Sequence, residues 1–484
     1  MLNIGCAYPN SLHEKDGSVL FLIKGEQAKK LVAIGDGSEV FKELEGSVGS
    51  NNGLAVKMCD LSIVNSHVIR KHFPHTRPVS LRKSPSTIGL GDRLGVASPG
   101  HIMVIRDKDV RPVLAQQSIR ELTLTGRTFE GVLGDAVWAV FQEGYRGGFG
   151  ADGDHLKSLE EVKLALDSGY TMITLDCSQH IHDVAGLSKE DIERLYMEID
   201  KETRSNLEAR FLRGEFKLKS GLTLTFSKEA LKTNAVIYQK AIGFAVEVFN
   251  AMIRPCKDDI DFELSIDETS TPTDPLAHFF VALQLSEAGV DLYSVAPRFC
   301  GEFQKGIDYI GNVAQFRREL QAHQGIASHF GYKLSVHSGS DKFSVFPIIG
   351  EETKGHVHVK TAGTNWLEAV RVIIHRDPGL YRELHMFALE HLTEARRYYH
   401  VTLDTGRIPD VVTLRDDELN DLMAQSDTRQ LIHITYGLIL QEKDDSGKYR
   451  FRDRIYRCLY ENETLYYEFL VKHIGNHLRA LNFG

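Results

Sequence analysis

The chain has 484 residues, of which 42% are hydrophobic and 25% are charged, as in an ordinary folded protein. Its formal net charge of -9 argues against a nucleic-acid partner, because phosphate binding needs a basic surface. No apolar run approaches the roughly 20 residues of a membrane span, and the N-terminus has no signal-peptide pattern. The six scattered cysteines form no Cys-x-x-Cys pair and indicate reduced thiols in the cytoplasm, so histidines and carboxylates would have to hold any metal.

The chain divides into an N-terminal extension, a central repeat of strands and helices, and a C-terminal helical region. Residues 1–85 are predicted to be a mixed α+β extension that ends in the proline-containing connector Phe73–Ser86. Residues 188–255 make a connection much longer than an ordinary crossover, and their charged helical pattern predicts a helical insertion. Strand signals largely vanish after the repeat, so residues 378–484 are predicted to be helical.

Between these regions, short apolar strands that end in polar clusters alternate with helical patterns. About eight strands can be counted, which is the number that a closed parallel barrel needs. The sequence therefore predicts a TIM-like (β/α)8 barrel over residues 86–377. The predicted strands are Thr87–Arg93, Pro112–Ser118, Gly148–Lys157, Met172–His180, Phe262–Thr269, Leu292–Arg298, Lys333–Ser340 and Val357–Gly363.

Two of these strands have the most informative pattern in the chain. In Lys333–Asp341 and His356–Thr364, apolar residues alternate with polar groups that include His337, His358 and Lys360. Such a strand lines a polar cavity with one face and packs its other face on helices. Each run then breaks into glycine and small polar residues, as a barrel strand does when it delivers side chains to a site at its carboxyl end.

Histidines at strand ends predict a metal site. Asp154 and His155 end one strand, and His337 ends another. A catalytic divalent ion usually takes about three protein ligands and leaves one position open. The two histidines would supply two ligands. The sequence pattern does not decide whether His358, Glu268 or Gln304 would supply the third.

Two acids from separate strand ends are candidates for acid–base catalysis. Asp154 and Glu268 are placed to act as a base and an acid on opposite faces of a bound sugar. By alternation Glu263, Ser265 and Asp267 face inward just before Glu268. The ordinary alternative is that both acids lie on the surface or cap helices. Asp176 and Asp92 are further inward-pointing acids, better suited to orienting their neighbours.

Three cations at strand ends suggest an anionic substrate. Arg298, Lys342 and Lys360 would converge on one rim of the barrel, and arginine is the best clamp for a carboxylate. The ordinary alternative is that these cations form ion pairs with Asp274, Asp308 and Asp341.

The segment Gly148–Gly153 matches the dinucleotide-binding pattern G-x-G-x-x-G, and Asp176 follows at about the interval of a ribose-binding acid. The context disfavours that interpretation, since the preceding Val132–Tyr145 has a helical pattern rather than that of a strand feeding the turn. A glycine-rich barrel strand is the preferred interpretation.

At these same segments the chain resembles the tagaturonate epimerases of bacterial hexuronate breakdown. The similarity runs from about Ser86 to Asp377, with looser likeness beyond. Several long motifs in one order are far more specific than any short pattern. The motifs are Ile88–Ile102, Ala115–Leu122, Gly148–Lys157, Phe303–Tyr309, Ser335–Pro347 and His358–Ala369.

The resemblance implies a metal-dependent barrel enzyme that interconverts D-tagaturonate and D-fructuronate. It implies Asp154 as proton acceptor and Glu268 as proton donor. It also implies a zinc, manganese or nickel ion on His155, Gln304 and His337. The expected partner is a small anionic sugar, and the sequence leaves open whether the chain forms a homo-oligomer. The residues predicted to bind substrate are Arg298, Lys342, His358, Lys360 and Asp176.

The chemistry leaves two routes open, because the stereocentre that changes is β to the ketone and its C–H is not acidic. The ketone can migrate by one carbon through an enediolate, or a retro-aldol step can break and re-form the adjacent C–C bond. A third route, transient oxidation by NAD, would need a better Rossmann turn than Gly148–Gly153. The alternative functions are a metal-dependent ketohexose epimerase or isomerase, a class II-type aldolase, and a non-catalytic sugar-binding barrel.

Overall fold

The computed structural model describes residues 6–257, 259–267, 269, 271–361 and 363–483. A closed barrel of eight parallel strands forms its centre, and the last barrel strand in the chain, β15, pairs with the first, β6. Its strands are β6 (Ser86–Gly89), β7 (Arg111–Ser118), β8 (Gly150–Leu156), β9 (Met172–Asp176), β12 (Asp261–Ile266), β13 (Ser294–Pro297), β14 (Lys333–Val336) and β15 (Val357–Lys360). Each overlaps one of the eight predicted strands, so the predicted (β/α)8 fold is confirmed.

The N-terminal region folds as a five-stranded antiparallel sheet in the order β1-β2-β3-β5-β4. Its apolar residues join those of the barrel helices in one continuous core. Its strands and helices are β1 (His13–Lys15), β2 (Ser18–Lys24), β3 (Lys29–Ile34), α1 (Glu39–Glu43), β4 (Ser47–Asn51), β5 (Leu54–Asp60) and α2 (Ile63–His72).

Helices cover the outside of the barrel because their apolar stripes face the outward residues of the strands. They are α3 (Ser98–Ile105), α4 (Ile119–Thr125), α5 (Phe129–Glu143), α6 (Leu159–Asp167), α10 (Pro275–Glu287), α11 (Val313–Phe330), α12 (Phe346–Thr353) and α13 (Thr364–Arg376). The Ser158 side chain accepts a hydrogen bond from the Glu161 backbone N–H and caps α6.

The long connection between β9 and β12 is helical, with one short antiparallel ribbon. It contains α7 (Lys189–Glu198), α8 (Lys201–Phe211), β10 (Glu215–Lys217), β11 (Thr223–Thr225) and α9 (Lys228–Val248). The capping box expected from Ser188 and Asp191 is present at the start of α7.

The helix Lys228–Ile253, which is α9 with the turn that follows it, is long and apolar enough to cross a membrane by length and composition alone. The sequence expectation had placed no such run in the chain. The helix packs against α7 and α10, and core helices of soluble proteins pass the same test, so this is weak evidence for a span.

The C-terminal region is helical and builds a second apolar core around Trp366 and Tyr436. Its helices are α14 (Pro378–Glu390), α15 (Leu392–Ala395), α16 (Ser426–Ile434), α17 (Tyr436–Gln441), α18 (Arg452–Glu461) and α19 (Glu463–Ala480). Helix α19 packs against α3 and α13 and so joins this region to the barrel. The division into domains at residues 85 and 377 stays a prediction.

Candidate active site

Polar side chains fill the barrel interior and meet at the carboxyl ends of its strands, the usual position of active sites in this fold. Alternation along each strand turns these side chains toward the barrel axis. The residues that meet there are Asp152, Asp154 and His155 on β8, Glu263 on β12, Asp267 just after β12, His337 just after β14, and Lys360 on β15.

A bulge at the end of β8 brings two adjacent residues to the same place. Regular alternation would put Asp154 and His155 on opposite faces of the strand. The register between β8 and β9 instead shifts between Gly153 and Leu156, and His155 adopts a left-handed backbone with a φ of 54°. This conformation costs a non-glycine residue on the order of 1 kcal/mol, and bulges of this kind re-aim side chains near active sites.

His155, Asp267 and His337 form a group that could hold a metal ion. One nitrogen or oxygen atom of each residue lies within 4.8 Å of the others. The two imidazole ring centres are 4.9 Å apart. The two histidines predicted to share an ion are therefore brought together by strands far apart in the sequence.

Carboxylates orient both imidazoles. His155 Nδ1 lies 2.8 Å from Asp154 Oδ1, and His337 Nε2 lies 2.8 Å from Glu263 Oε1. The remaining nitrogen of His337, Nδ1, is 3.0 Å from Asp267 Oδ2. Protein metal sites commonly hold a ligating histidine in this way, with a carboxylate on one nitrogen and the ion on the other.

The carboxylates also change the proton affinity of the imidazoles. Burial disfavours the charged form of His337, but the carboxylate of Asp267 and the hydrogen bond to Glu263 raise its pKa to about 10. Burial likewise opposes the charged form of His155, and the Asp154 carboxylate raises its pKa. The site therefore favours positive charge at the point where the two rings meet.

Lys360 is the hub of a buried ionic network that joins three strands. Its Nζ lies 2.9 Å from Asp152 Oδ2, 2.6 Å from Asp154 Oδ1 and 2.9 Å from Glu263 Oε1. It also donates to Thr174 Oγ1 at 2.6 Å. Burial alone would lower the pKa of Lys360, but the three carboxylates raise it well above its usual range. Lys360 is therefore an ammonium and not a nucleophilic amine.

The formal charges at this end of the barrel do not balance. Three carboxylates, those of Asp152, Asp154 and Glu263, contact the ammonium of Lys360, and a fourth, that of Asp267, contacts His337. The four carboxylates and the one ammonium sum to a formal charge of about -3, which protons on His337 and His155 offset in part, and a divalent cation between the two rings would supply the same positive charge. Buried carboxylates need such compensation, because an unpaired buried charge is costly.

Two residues predicted to bind substrate have protein partners. His358 Nδ1 lies 3.0 Å from Thr87 Oγ1 inside the barrel, and burial lowers the pKa of His358 to about 3, so its ring is neutral. Asp176 at the end of β9 lies 3.2 Å from the Lys157 Nζ and accepts a hydrogen bond from the Ser178 backbone N–H. These contacts hold both side chains in place.

Lys342 and Gln304 are engaged by a loop and by the C-terminal region. Lys342 Nζ donates to the backbone carbonyls of Gln304, Ile307 and Ser340 at 2.6–2.8 Å, and burial lowers the pKa of Lys342 to about 7. The amide oxygen of Gln304 accepts from the Thr402 backbone N–H and from the Gln430 side chain at 3.0 and 2.8 Å. These contacts tie the Gln304 side chain to the C-terminal region, and its role as a metal ligand stays a prediction.

Arg298 is half-buried just beyond the end of β13, where its backbone N–H donates to Thr273 Oγ1 at 3.0 Å. Its predicted role as a carboxylate clamp stays a prediction. Glu268, the predicted proton donor, lies outside the described residues.

The Gly148–Gly153 segment follows helix α5 and runs into strand β8. A dinucleotide turn has the opposite order, strand before helix. The preferred interpretation of this motif as part of a barrel strand is confirmed.

Asp267 is the potential ligand that the sequence interpretation did not select. The signal for it was the alternation of Glu263, Ser265 and Asp267, which placed all three inside the barrel. The Ser265 hydroxyl donates to the Asp267 carboxylate and helps to aim it.

A second histidine cluster lies where α19 meets the loop after β14. Asp341, His473 and His477 are close enough to share an ion. However, His477 Nε2 accepts the Asp341 backbone N–H at 3.0 Å, and Arg429 lies 2.7 Å from the Asp341 carboxylate. The atoms that could bind a metal ion are therefore already engaged in contacts that attach α19 and α16 to the barrel.

The chain is similar to known proteins over nearly its whole length. The model of a family described as UxaE, tagaturonate epimerase, matches residues 8–481. A curated Thermotoga maritima protein named tagaturonate/fructuronate epimerase is 42% identical over 481 residues, 98% of this chain and 96% of that protein. The native crystal structure of fructuronate-tagaturonate epimerase UxaE from Cohnella laeviribosi is 49% identical, with a TM-score of 0.95 over 98% of this chain and 96% of that one. The similarity thus includes the N- and C-terminal regions as well as the barrel.

Proposed function

The chain belongs to the tagaturonate epimerase family of isomerases, and we propose that it interconverts D-tagaturonate and D-fructuronate with the help of a divalent cation. The observation that carries the cation proposal is the convergence of His155, Asp267 and His337 within 4.8 Å. His155 has one nitrogen on a carboxylate and His337 has both, and the carboxylates around the two rings favour a positive charge between them. This donor set and this field fit a divalent metal.

We propose Asp267 as the third protein ligand, in preference to Gln304. The Asp267 carboxylate already lies 3.0 Å from His337. The Gln304 amide oxygen, by contrast, already accepts hydrogen bonds from Thr402 and Gln430. Two imidazoles and one carboxylate suit zinc, manganese or nickel, and these ligand types do not distinguish among the three metals.

The ion, when bound, would polarise the substrate ketone and stabilise negative charge that develops on its oxygen. Asp154 is the proposed proton acceptor. Burial opposes ionisation of Asp154, but Lys360 and His155 hold its pKa well below its usual range, so it is a carboxylate at neutral pH. It would take a proton from carbon in the enediolate route, or from the hydroxyl in the retro-aldol route.

The remaining chain residues position these groups. Lys360 fixes Asp154 through the 2.6 Å contact and cannot form a Schiff base, because it is held as an ammonium. Glu268 is the proposed proton donor on the strength of the family resemblance. Arg298, His358 and Asp176 are proposed to line the sugar site, and Lys342 and Lys360 to support it.

The proposed surroundings follow from the same chemistry. The substrate is a small anionic sugar, and no nucleic-acid partner is proposed, given the net charge of -9. Six thiols without disulfides in the described structure support a cytoplasmic location. A homo-oligomer is proposed from the sequence interpretation alone.

Chelation followed by metal add-back tests the cation proposal. After exhaustive treatment with a chelator and its removal, epimerisation of D-tagaturonate should fall below a few per cent of its starting rate. Zinc, manganese or nickel, added singly, should restore it, whereas magnesium should not, because magnesium binds imidazole weakly. Full activity in protein shown to be metal-free would reject the proposal.

A further inference from the structure

We propose that the ammonium of Lys305 binds the carboxylate of the substrate and so makes the enzyme prefer an acidic ketose to a neutral one. This inference rests on the proposed function, since it names the group that recognises the acidic end of the ketouronate. Lys305 lies on the loop between β13 and α11, and it was not among the cations selected from the sequence.

The position of Lys305 places its charge beside the metal-binding group. Its Nζ donates to Ser338 Oγ at 3.0 Å, and Ser338 directly follows His337. The electrostatic field of Asp154 also acts on the Lys305 ammonium. A substrate whose ketone reaches His155 and His337 would therefore extend its other end toward Lys305.

Three other cations near the barrel mouth already have protein partners. Lys360 contacts three carboxylates, Lys342 donates to three backbone carbonyls, and Arg93 is paired with Glu121 at 2.8 Å. By contrast, the Lys305 Nζ donates to a neutral hydroxyl, that of Ser338, at 3.0 Å. Its residue is partly exposed, so a ligand can reach it.

Neighbouring cations prepare this position for an anion. Burial and the charges of Arg93 and Arg120 lower the pKa of Lys305, and the carboxylates of Glu121 and Asp154 oppose this only in part. A carboxylate that arrives beside Lys305 would reduce the remaining repulsion among these cations. Lys305 would then distinguish substrates by their carboxylate, which a ketouronate has and a neutral ketohexose lacks.

The loop that carries Lys305 is fixed on both sides. Lys342 holds the backbone carbonyls of Gln304 and Ile307, and the Gln304 side chain is held by Thr402 and Gln430. This gives Lys342 and Gln304 a role as positioning residues, since preorganised groups bind with a smaller loss of conformational entropy.

The test is steady-state kinetics of Lys305→Met and Lys305→Gln with a ketouronate and with the matching neutral ketohexose, used as a substrate or as a competitive inhibitor. For the ketouronate we expect kcat/KM to fall about 10–100-fold, mainly through KM, which is the range for loss of a charged hydrogen bond. The constants for the neutral sugar should change less than about threefold. Lys305→Arg should recover most of the loss.

Controls separate this role from a structural one. Lys217→Met removes one exposed positive charge on the β10–β11 ribbon, which packs on the outside of helix α10, and should leave the kinetics with both substrates unaffected. Equal losses for both sugars in the Lys305 variants would overturn the proposal while leaving the epimerase function intact. So would a ketouronate-specific loss in Arg298→Met with none in Lys305→Met. A wild-type enzyme that turns over no ketouronate would overturn both proposals.

Discussion

Replacing His337 by alanine should remove the bound metal and lower kcat/KM for D-tagaturonate by at least about 10³-fold. The estimate takes several kcal/mol for a cation that polarises a carbonyl and one factor of ten for each 1.36 kcal/mol. The variant also loses the imidazole that lies between Glu263 and Asp267 at 2.8 and 3.0 Å. Metal content by mass spectrometry and initial rates of epimerisation are the measurements.

His375→Ala is the matched control for that variant. His375 lies exposed in the last turn of α13, outside the barrel, against the ring of Phe469. Its loss should leave metal content and turnover at the wild-type level. A His337→Ala protein with one metal per chain and wild-type turnover would remove His337 from the proposed site.

Replacing Lys360 by methionine should destabilise the fold by roughly 3–5 kcal/mol, the usual cost of breaking a buried ion pair. Asp152, Asp154 and Glu263 would then be three buried carboxylates without their shared ammonium. Urea denaturation of the metal-free proteins at pH 7 measures the effect without the contribution of the ion.

A second substitution tests whether the stability lost in Lys360→Met comes from uncompensated charge. Adding Glu263→Gln to Lys360→Met removes one of the uncompensated carboxylates, so about 1 kcal/mol or more should return. If Lys360→Met alone costs less than about 1 kcal/mol, the network does not carry the charge balance described above.

Most of the barrel could be predicted from the sequence because local residue patterns identify its strands. Apolar residues alternate with polar ones in β12, β14 and β15, and serine caps such as Ser158 mark where helices begin. The proximity of His155 and His337 then followed from the fold, because the carboxyl ends of all parallel barrel strands lie at the same rim.

The details of the site could not be predicted because they depend on loops and on distant partners. Gln304 lies in the loop after β13, and its amide is held by Thr402 and Gln430, which are 98 and 126 positions away in the chain. The bulge that turns His155 toward Asp154 has no signal in alternation, which places adjacent residues on opposite faces. Lys342 donates to three backbone carbonyls of distant segments, which no strand pattern could indicate, and its predicted role toward the substrate stays a prediction.

Anomalous diffraction from crystals grown with zinc or manganese tests the central claim most directly. The account predicts one strong peak about 2.0–2.2 Å from a nitrogen of His155, a nitrogen of His337 and a carboxylate oxygen of Asp267. A peak beside Asp341, His473 and His477, with none between the first three residues, would contradict it.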